Sequence, residues 1–156
     1  MAVEIEYKYL VTSDSYKEQA TESHHIVQGF ISRERGRCVR VRLWDDRAVI
    51  TIKGMSTGPS RPEYEYEIPV EDARELLQMC PPPIIDKTRH IVLWKGHRWE
   101  VDEFHGNLAP LVVAEIELPS ADSSYALPPF VGRNVTDDHR YCNSQLGLTP
   151  VTDLLP

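Results

Sequence analysis

Val3-Glu4-Ile5-Glu6-Tyr7-Lys8-Tyr9-Leu10 is the stretch on which the reading of this chain turns. Val3, Ile5, Tyr7 and Tyr9 alternate with Glu4, Glu6 and Lys8. Side chains along a β-strand point to its two faces in turn, so the three ionisable groups share one face and the apolar ones the other. Two carboxylates and an ammonium on one strand face suit a solvated surface. They suit equally the wall of a site that holds a cation and an anion. The remaining strands bear on the choice.

The pattern recurs in strand after strand. Arg40 and Arg42 alternate with Val39, Val41 and Leu43, and Lys53 ends the run from Ala48. Glu63, Glu65 and Glu67 alternate with Tyr64, Tyr66 and Ile68, and Lys87 and Arg89 flank Thr88. Glu100, Asp102 and Phe104 alternate with Val101 and Glu103, and Glu115 and Glu117 with Ala114, Ile116 and Leu118. A half-polar strand is what a sheet with one wet face looks like. Wet faces, however, usually mix Thr, Ser, Gln and Lys, whereas these are nearly pure in ionisable groups, with one sign in pairs on each strand. If the strands close with that face inward, acidic and basic strands line a common cavity. Burying so many charges demands partners. Divalent cations satisfy carboxylates through oxygen ligation, and phosphate oxygens satisfy Arg and Lys. Together these are the parts of a phosphoryl-transfer site. No GxxxxGK[ST] sequence is present, so a P-loop is not the vehicle.

Strand-like runs at 3–10, 26–32, 38–44, 48–53, 63–68, 84–93, 97–103 and 111–118 are spaced by turns such as Asp45-Asp46, Lys95-Gly96 and Gly106-Asn107. This spacing predicts antiparallel meanders closing into a sandwich or barrel. Helices are predicted at 70–79, at 16–21 and, with Thr136 or Asp137 as N-cap and Gly147 as stop, at 137–146. The turn-rich 54–60 stretch and Pro81-Pro82-Pro83 break strands without reading as linkers, so residues 1–156 are expected to form one domain.

The 156 residues are 41% hydrophobic and 26% charged, ordinary for a globular protein, with a formal net charge of −7. That charge disfavours nucleic acid and anionic membrane as partners. Cys38, Cys80 and Cys142 show neither CxxC nor Cys/His spacing, which argues against structural zinc and a disulfide framework and for reduced thiols. The acidic start lacks an apolar signal core, and no run approaches the roughly 20 apolar residues that span a bilayer. A cytoplasmic location is therefore expected.

The ordered series of motifs resembles the CYTH domain, or triphosphate tunnel metalloenzyme, family, in the short bacterial form of the inorganic triphosphatases. It runs from Glu4-x-Glu6-x-Lys8 through Arg40-x-Arg42, Thr51-Ile52-Lys53, Arg61-x-Glu63-Tyr64-Glu65-x-Glu67 and Asp86-Lys87-Thr88-Arg89. It continues through Trp99-Glu100-Val101-Asp102-x-Phe104, Ala114-Glu115-Ile116-Glu117 and Val135-Thr136-x-Asp138-x-Arg140-Tyr141-x-Asn143. The resemblance implies an α+β fold: a closed eight-stranded antiparallel β-barrel forming a tunnel, with a few helices packed outside. It implies Mg²⁺ or Mn²⁺ as cofactor and a small-molecule triphosphate as substrate, with a homodimer as the assembly considered. Glu4 and Glu6, with Glu115 or Glu117 across the tunnel, would ligate the metal. Lys8, Arg40, Arg42, Lys53, Lys87 and Arg89 would grip phosphates, with Lys8 and Lys87 also counted as catalytic. Glu63 and Glu65 would hold a second metal or orient the attacking water, and Glu100 and Asp102 would support either task. Arg140 joins the phosphate contacts if the last helix caps the barrel. Tyr7 departs from the Arg found in many short members, but it sits on the face opposite the ligands.

Other residues read more plainly. His24 and His25 are expected in an exposed loop before the second strand, and His90, His97, His105 and His139 lack metal-ligand spacing. Trp44, Trp94 and Trp99 are expected to pack the outer shell. Arg33, Arg35 and Arg37 read as a solvated turn. The leading expectation is hydrolysis of inorganic triphosphate. The rivals are a class IV-like adenylate cyclase, a thiamine or nucleoside triphosphatase, a non-catalytic polyphosphate-binding module and a structural barrel with wet strand faces.

Overall fold

Alternation of charged and apolar residues becomes, in the computed structural model, which describes residues 3–156, one antiparallel sheet wrapped onto itself. The elements are β1 (Val3–Val11), α1 (Tyr16–Gln19), β2 (Ala20–Glu34), β3 (Arg37–Trp44), β4 (Arg47–Lys53), β5 (Ser60–Ile68) and α2 (Val70–Met79). After them come β6 (Ile85–Trp94), β7 (His97–Phe104), β8 (Val112–Glu117) and β9 (Val131–Asn134). The strands run β5-β4-β3-β2-β6-β7-β8-β1-β9, and β5 also pairs with β1. That last pairing, Val3↔Pro62, Glu4↔Arg61 and Ile5↔Ser60, closes an eight-stranded barrel, with β9 laid along β1 outside it. All eight strand-like runs are strands, and the closed barrel with helices outside is the fold the resemblance implies.

Register decides which face goes in. Directly opposed residues of antiparallel strands point to the same side. The pairs Glu6↔Glu117, Lys8↔Glu115, Glu100↔Glu115, Arg89↔Asp102, Arg42↔Gln28, Arg40↔Thr51 and Lys53↔Glu63 carry the ionisable face round the barrel as its inner wall. Slipping any strand by one residue would turn its charges out and its apolar face in. Tight hairpins hold the register. Lys95 and Gly96 both adopt left-handed backbone (φ 46° and 83°), as a two-residue turn of the twist-matching type requires.

The apolar faces, turned outward, are covered. Trp99, Val101, Ala114, Ile116 and Tyr9 pack under Phe130 and Tyr125 of the segment after β8, with Tyr16 of α1 beside them. Trp94 joins that layer, so two of the three tryptophans lie in the outer shell as expected. Ala73, Leu76 and Leu77 of α2 cover Val41, Leu43, Ala48 and Ile50. Inside, the barrel is polar only in part. Leu10, Phe30, Phe104 and Val113 meet Leu108, Leu111, Tyr141, Leu146 and Leu154, so the C-terminal segment plugs the barrel with an apolar cluster.

Four expectations change. Residues 137–146 form no α-helix. Asp138 accepts a hydrogen bond from the Arg140 backbone N–H, starting a single 3-10 turn at His139–Tyr141. Burying Tyr141 and Leu146 in the plug then holds the chain in turns. The helix at 16–21 stops at Gln19 because β2 begins at Ala20, where pairing with β6 takes over. His24 and His25 therefore lie within a strand, not a loop. The strand β9 adds to the eight expected.

The plug should contribute to stability like any core. Leu154 is fully buried and its carbonyl accepts a 2.8 Å bond from the Tyr141 hydroxyl. Leu154→Ala is expected to cost about 2–5 kcal/mol in urea unfolding. A loss under about 0.5 kcal/mol would show that the segment does not belong to the core.

Candidate functional site

Inside the barrel, above the plug, lies a cavity of about 320 Å³. Glu4, Glu6, Lys8, Arg40, Arg42, Lys53, Glu63, Glu65, Arg89, Glu100, Glu115 and Glu117 all line it. Of the residues expected at the site, Lys87, Asp102 and Arg140 do not line it.

The carboxylates gather around Lys53. Its ammonium donates to Glu4 Oε1 at 3.0 Å, lies 2.7 Å from Oε2, and is 3.7 Å from Glu63. Both oxygens of the buried Glu4 carboxylate thus lie against that one ammonium. Burial raises the proton affinity of Glu4, but Lys53 outweighs it and holds the carboxyl below its ordinary value. Glu6 is pushed up, first by burial and then by Glu4 beside it. Glu117 is pushed up by burial and then by Glu6 and Glu100. Lys8, 3.6 Å from Glu115 and 3.8 Å from Glu6, has its ammonium stabilised by both against the cost of burial.

This crowding bears on whether the residues fit a divalent metal. Among the described residues no three His, Cys, Asp or Glu side chains already converge as a ligand set, and Lys53 stands against Glu4 and Glu63. The donor chemistry nevertheless fits a hard cation. The donors are carboxylate oxygens, and two of the carboxyl groups, Glu6 and Glu117, carry raised proton affinities that a cation would relieve.

The cations divide by how well they are neutralised. Asp102, fully buried, accepts from Arg89 through both oxygens (Nε to Oδ1 2.7 Å, Nη2 to Oδ2 2.9 Å) and from Lys87 Nζ at 2.7 Å. Against the effect of burial, those two cations hold its carboxyl below the ordinary range. Arg89 also donates to Glu100 at 3.0 Å. Arg40 bonds Thr51 at 3.1 Å and stands 3.8 Å from Glu65, while its buried Nε has no partner. Arg42 has no carboxylate within 4.0 Å among the described residues. It donates Nε to Gln28 Oε1 at 2.8 Å and lies over the Trp44 ring at 5.8 Å. Burial, then Arg40 and Arg89, lower its hold on the proton more than for any other arginine here.

Lys87 is sealed off. Besides Asp102 it donates to Asn143 Oδ1 at 3.3 Å, and it is fully buried. Burial pulls its proton affinity down to about 7, with Arg89 and Arg42 adding to the effect and Asp102 opposing it. Arg140 is exposed and turned onto Asp138, its Nη2 2.7 Å from the carboxylate. It lies outside the cavity because the helix meant to carry it does not form.

Sequence reasoning missed several neighbours. Gln28 is a polar residue in the apolar β2 run, and its parity with Ile26 and Phe30 was a usable signal. Trp44, expected in the outer shell, lines the cavity because it pairs with Ile26 on the inner face. It stacks near His24, which bonds Asp45 at 2.6 Å. Cys38 and Cys142 also line the cavity. Arg33 is half-buried within β2 and bonds the Pro81 and Pro83 carbonyls, not a solvated turn as expected, whereas exposed Arg37 pairs with Glu34 across the turn. Among the described residues no helix is long and apolar enough to cross a membrane.

The sequence model of the CYTH domain family matches residues 2–146. An inorganic triphosphatase of Acetivibrio thermocellus is 46% identical over 151 residues, 96% of each chain. One of Nitrosomonas europaea is 33% identical over 150 residues, 94% of this chain and 97% of that protein. A crystal structure described as an inorganic triphosphatase superposes with a TM-score of 0.67 at 30% identity, over 96% of this chain and 97% of that one.

Lys87 makes stability depend on pH. Between pH 7 and its unfolded value near 10.4 the unfolded chain binds a proton that the folded chain does not. Keeping Lys87 charged in the fold is therefore a penalty that is full below about 7 and falls away as pH rises toward about 10.4. Urea midpoints measured from pH 7 to 8.5 should rise more for the wild type than for Lys87→Met. Equal slopes would show that Lys87 stays charged in the fold.

Proposed function

We propose, for a chain that belongs to the CYTH domain family, that its barrel hydrolyses inorganic triphosphate to pyrophosphate and phosphate with a divalent cation. The observation that carries the reading is the coexistence, in one cavity, of crowded carboxylates, Glu6 and Glu117 among them with raised proton affinities, and of Arg40, whose buried Nε has no hydrogen-bond partner among the described residues, beside Arg42, which has no carboxylate within 4.0 Å among them. Such a site calls for a cation and an anion together, and a metal polyphosphate supplies both.

Glu4 and Glu6, with Glu115 and Glu117 from β8, would hold the cation, with Mg²⁺ or Mn²⁺ the ions suited to oxygen ligands. When bound, it would offset charge on the phosphoryl oxygens. Arg40 and Arg42 bind the phosphate oxygens most strongly, because least of their charge is already spent on carboxylates. Lys8, Lys53 and Arg89 share the load and keep their carboxylates in place. Glu65, which accepts from Thr51 at 3.1 Å, and Glu63 orient a water for attack on a terminal phosphorus and take its proton. The P–O bond to the bridging oxygen breaks, and pyrophosphate leaves. Developing charge is met by preorganised guanidinium and ammonium groups, which need not reorganise as the reaction proceeds. Lys87 acts from behind this wall, through Asp102 and Asn143. At about 320 Å³ the cavity is at the small end of ligand sites, which favours a bare polyphosphate over a substrate with a bulky organic group.

Tripolyphosphate, ATP and thiamine triphosphate assayed side by side with Mg²⁺, Mn²⁺ and excess chelator should show tripolyphosphate preferred, turnover abolished by chelator, and pyrophosphate with phosphate as products. Strong preference for ATP with release of cyclic AMP would overturn the assignment in favour of a cyclase. Arg42→Ala should lower kcat/KM about tenfold to a hundredfold, the scale of one charged hydrogen bond. Glu4→Gln should raise the metal concentration needed for half-maximal rate or abolish turnover. Wild-type kinetics in both variants would place these residues outside the reaction.

A further inference from the structure

Asn143 sits where three parts of the site meet. It comes from the C-terminal segment, two residues past the Tyr141 that anchors the plug, and it lines the cavity. Its Oδ1 accepts from Lys87 Nζ at 3.3 Å and from Gln28 Nε2 at 3.3 Å. Gln28 is itself oriented, because its Oε1 takes the Arg42 Nε–H at 2.8 Å, which leaves the NH₂ end for Asn143. An amide flip would set the Asn143 NH₂ against an ammonium and another NH₂, three donors with no acceptor between them. The orientation of Asn143 is thus imposed by two buried neighbours. Its Nδ2 makes no hydrogen bond to the described residues, so an amide donor with both hydrogens available stands in a cavity whose other side-chain donors are mostly Arg and Lys.

We propose that Asn143 is a substrate-binding residue: the C-terminal segment contributes, through Asn143 Nδ2, a neutral hydrogen-bond donor to a phosphoryl oxygen, held in direction by Lys87 and the Gln28–Arg42 pair. The inference rests on the triphosphatase reading and extends the site beyond the barrel strands. A neutral donor has a use that another cation lacks. It ranks phosphoryl oxygens by geometry without adding to the repulsion already felt between Arg40, Arg42 and Arg89. It also ties substrate binding to the plug, since Asn143 lies between Tyr141 and Leu146, which pack there together with Leu154.

Two substitutions separate this role from a merely structural one. Asn143→Ala removes both the Oδ1 acceptor and the Nδ2 donor. Asn143→Asp keeps the shape and the acceptor for Lys87 and Gln28 but replaces the donor with an anionic oxygen. Tripolyphosphate KM and kcat, and tripolyphosphate binding by calorimetry in chelator, are measured for both, with thermal unfolding as the control for folding. If Nδ2 touches substrate, Asn143→Ala should raise KM about tenfold with a smaller change in kcat, and Asn143→Asp should raise it further despite a wild-type unfolding temperature. If Asn143 only braces Lys87 and Gln28, Asn143→Asp should rescue what Asn143→Ala loses, and that rescue overturns the proposal. Asn143→Ala within twofold of wild type on both constants overturns it as well. Should Asn143→Ala fail to fold, the isosteric Asn143→Asp decides alone: wild-type KM overturns the proposal and a large rise supports it. A wild-type protein that neither binds nor cleaves tripolyphosphate removes the underlying reading itself, an outcome distinct from a working enzyme indifferent to Asn143.

Discussion

Closing eight strands on themselves leaves each strand one face that points inward. In most small barrels that face is apolar and fills the interior. Here it carries Glu, Asp, Lys and Arg, so the interior must be neutralised pair by pair or the barrel would not close. The Asp102 carboxylate shows how far this goes. It holds Arg89 with both oxygens and Lys87 with one, all three groups being nearly or fully buried. Without Asp102 two buried cations would face each other, and leaving a buried charge uncompensated costs several kcal/mol. The apolar faces are therefore displaced outward, and the outer layers of α2, Phe130 and Tyr125 exist to cover them.

Neutralisation is deliberately incomplete. Lys8, Lys53 and Arg89 each stand within salt-bridge distance of two carboxylates, while Arg40 has Glu65 alone at 3.8 Å, and Arg42 has Gln28 and an indole face. Groups already paired form the scaffold of the cavity, and groups left short of partners define what it binds. The same holds for the acids, where burial and the neighbouring Glu4 raise the proton affinity of Glu6, and burial with Glu6 and Glu100 raises that of Glu117. Binding strength in such a site comes from charges whose desolvation was met during folding and whose attraction is still unspent.

The barrel was legible because its period is two and its charges keep parity from strand to strand. Glu4, Lys53, Glu115 and Arg89 could be assigned to one lining before any pairing was known. What escaped notice depended on contacts that parity does not encode. The first half of β2, Thr21-Glu22-Ser23-His24-His25, has no apolar alternation and is a strand only because β6 pairs with it. Residues 137–146 have helical caps in sequence, but the pull of Tyr141 and Leu146 into the plug outweighs the local preference. Lys87 has the parity of a lining residue yet does not line the cavity, since Asp102 and Asn143 close over its ammonium.

The plug changes what kind of site the barrel is. Leu10, Phe30, Phe104 and Val113 occupy the same inner face as the charges, so parity alone would have extended the polar lining through the whole barrel. Their packing against Leu146 and Leu154 instead replaces water with side chains over part of the interior. The charges nearest that apolar floor, Lys87 and Asp102, are the most completely dried. A low-dielectric floor strengthens the interactions above it, because less solvent screens them. The C-terminal segment, outside the sheet altogether, thereby helps set the electrostatic strength of a site whose charged residues nearly all lie on strands.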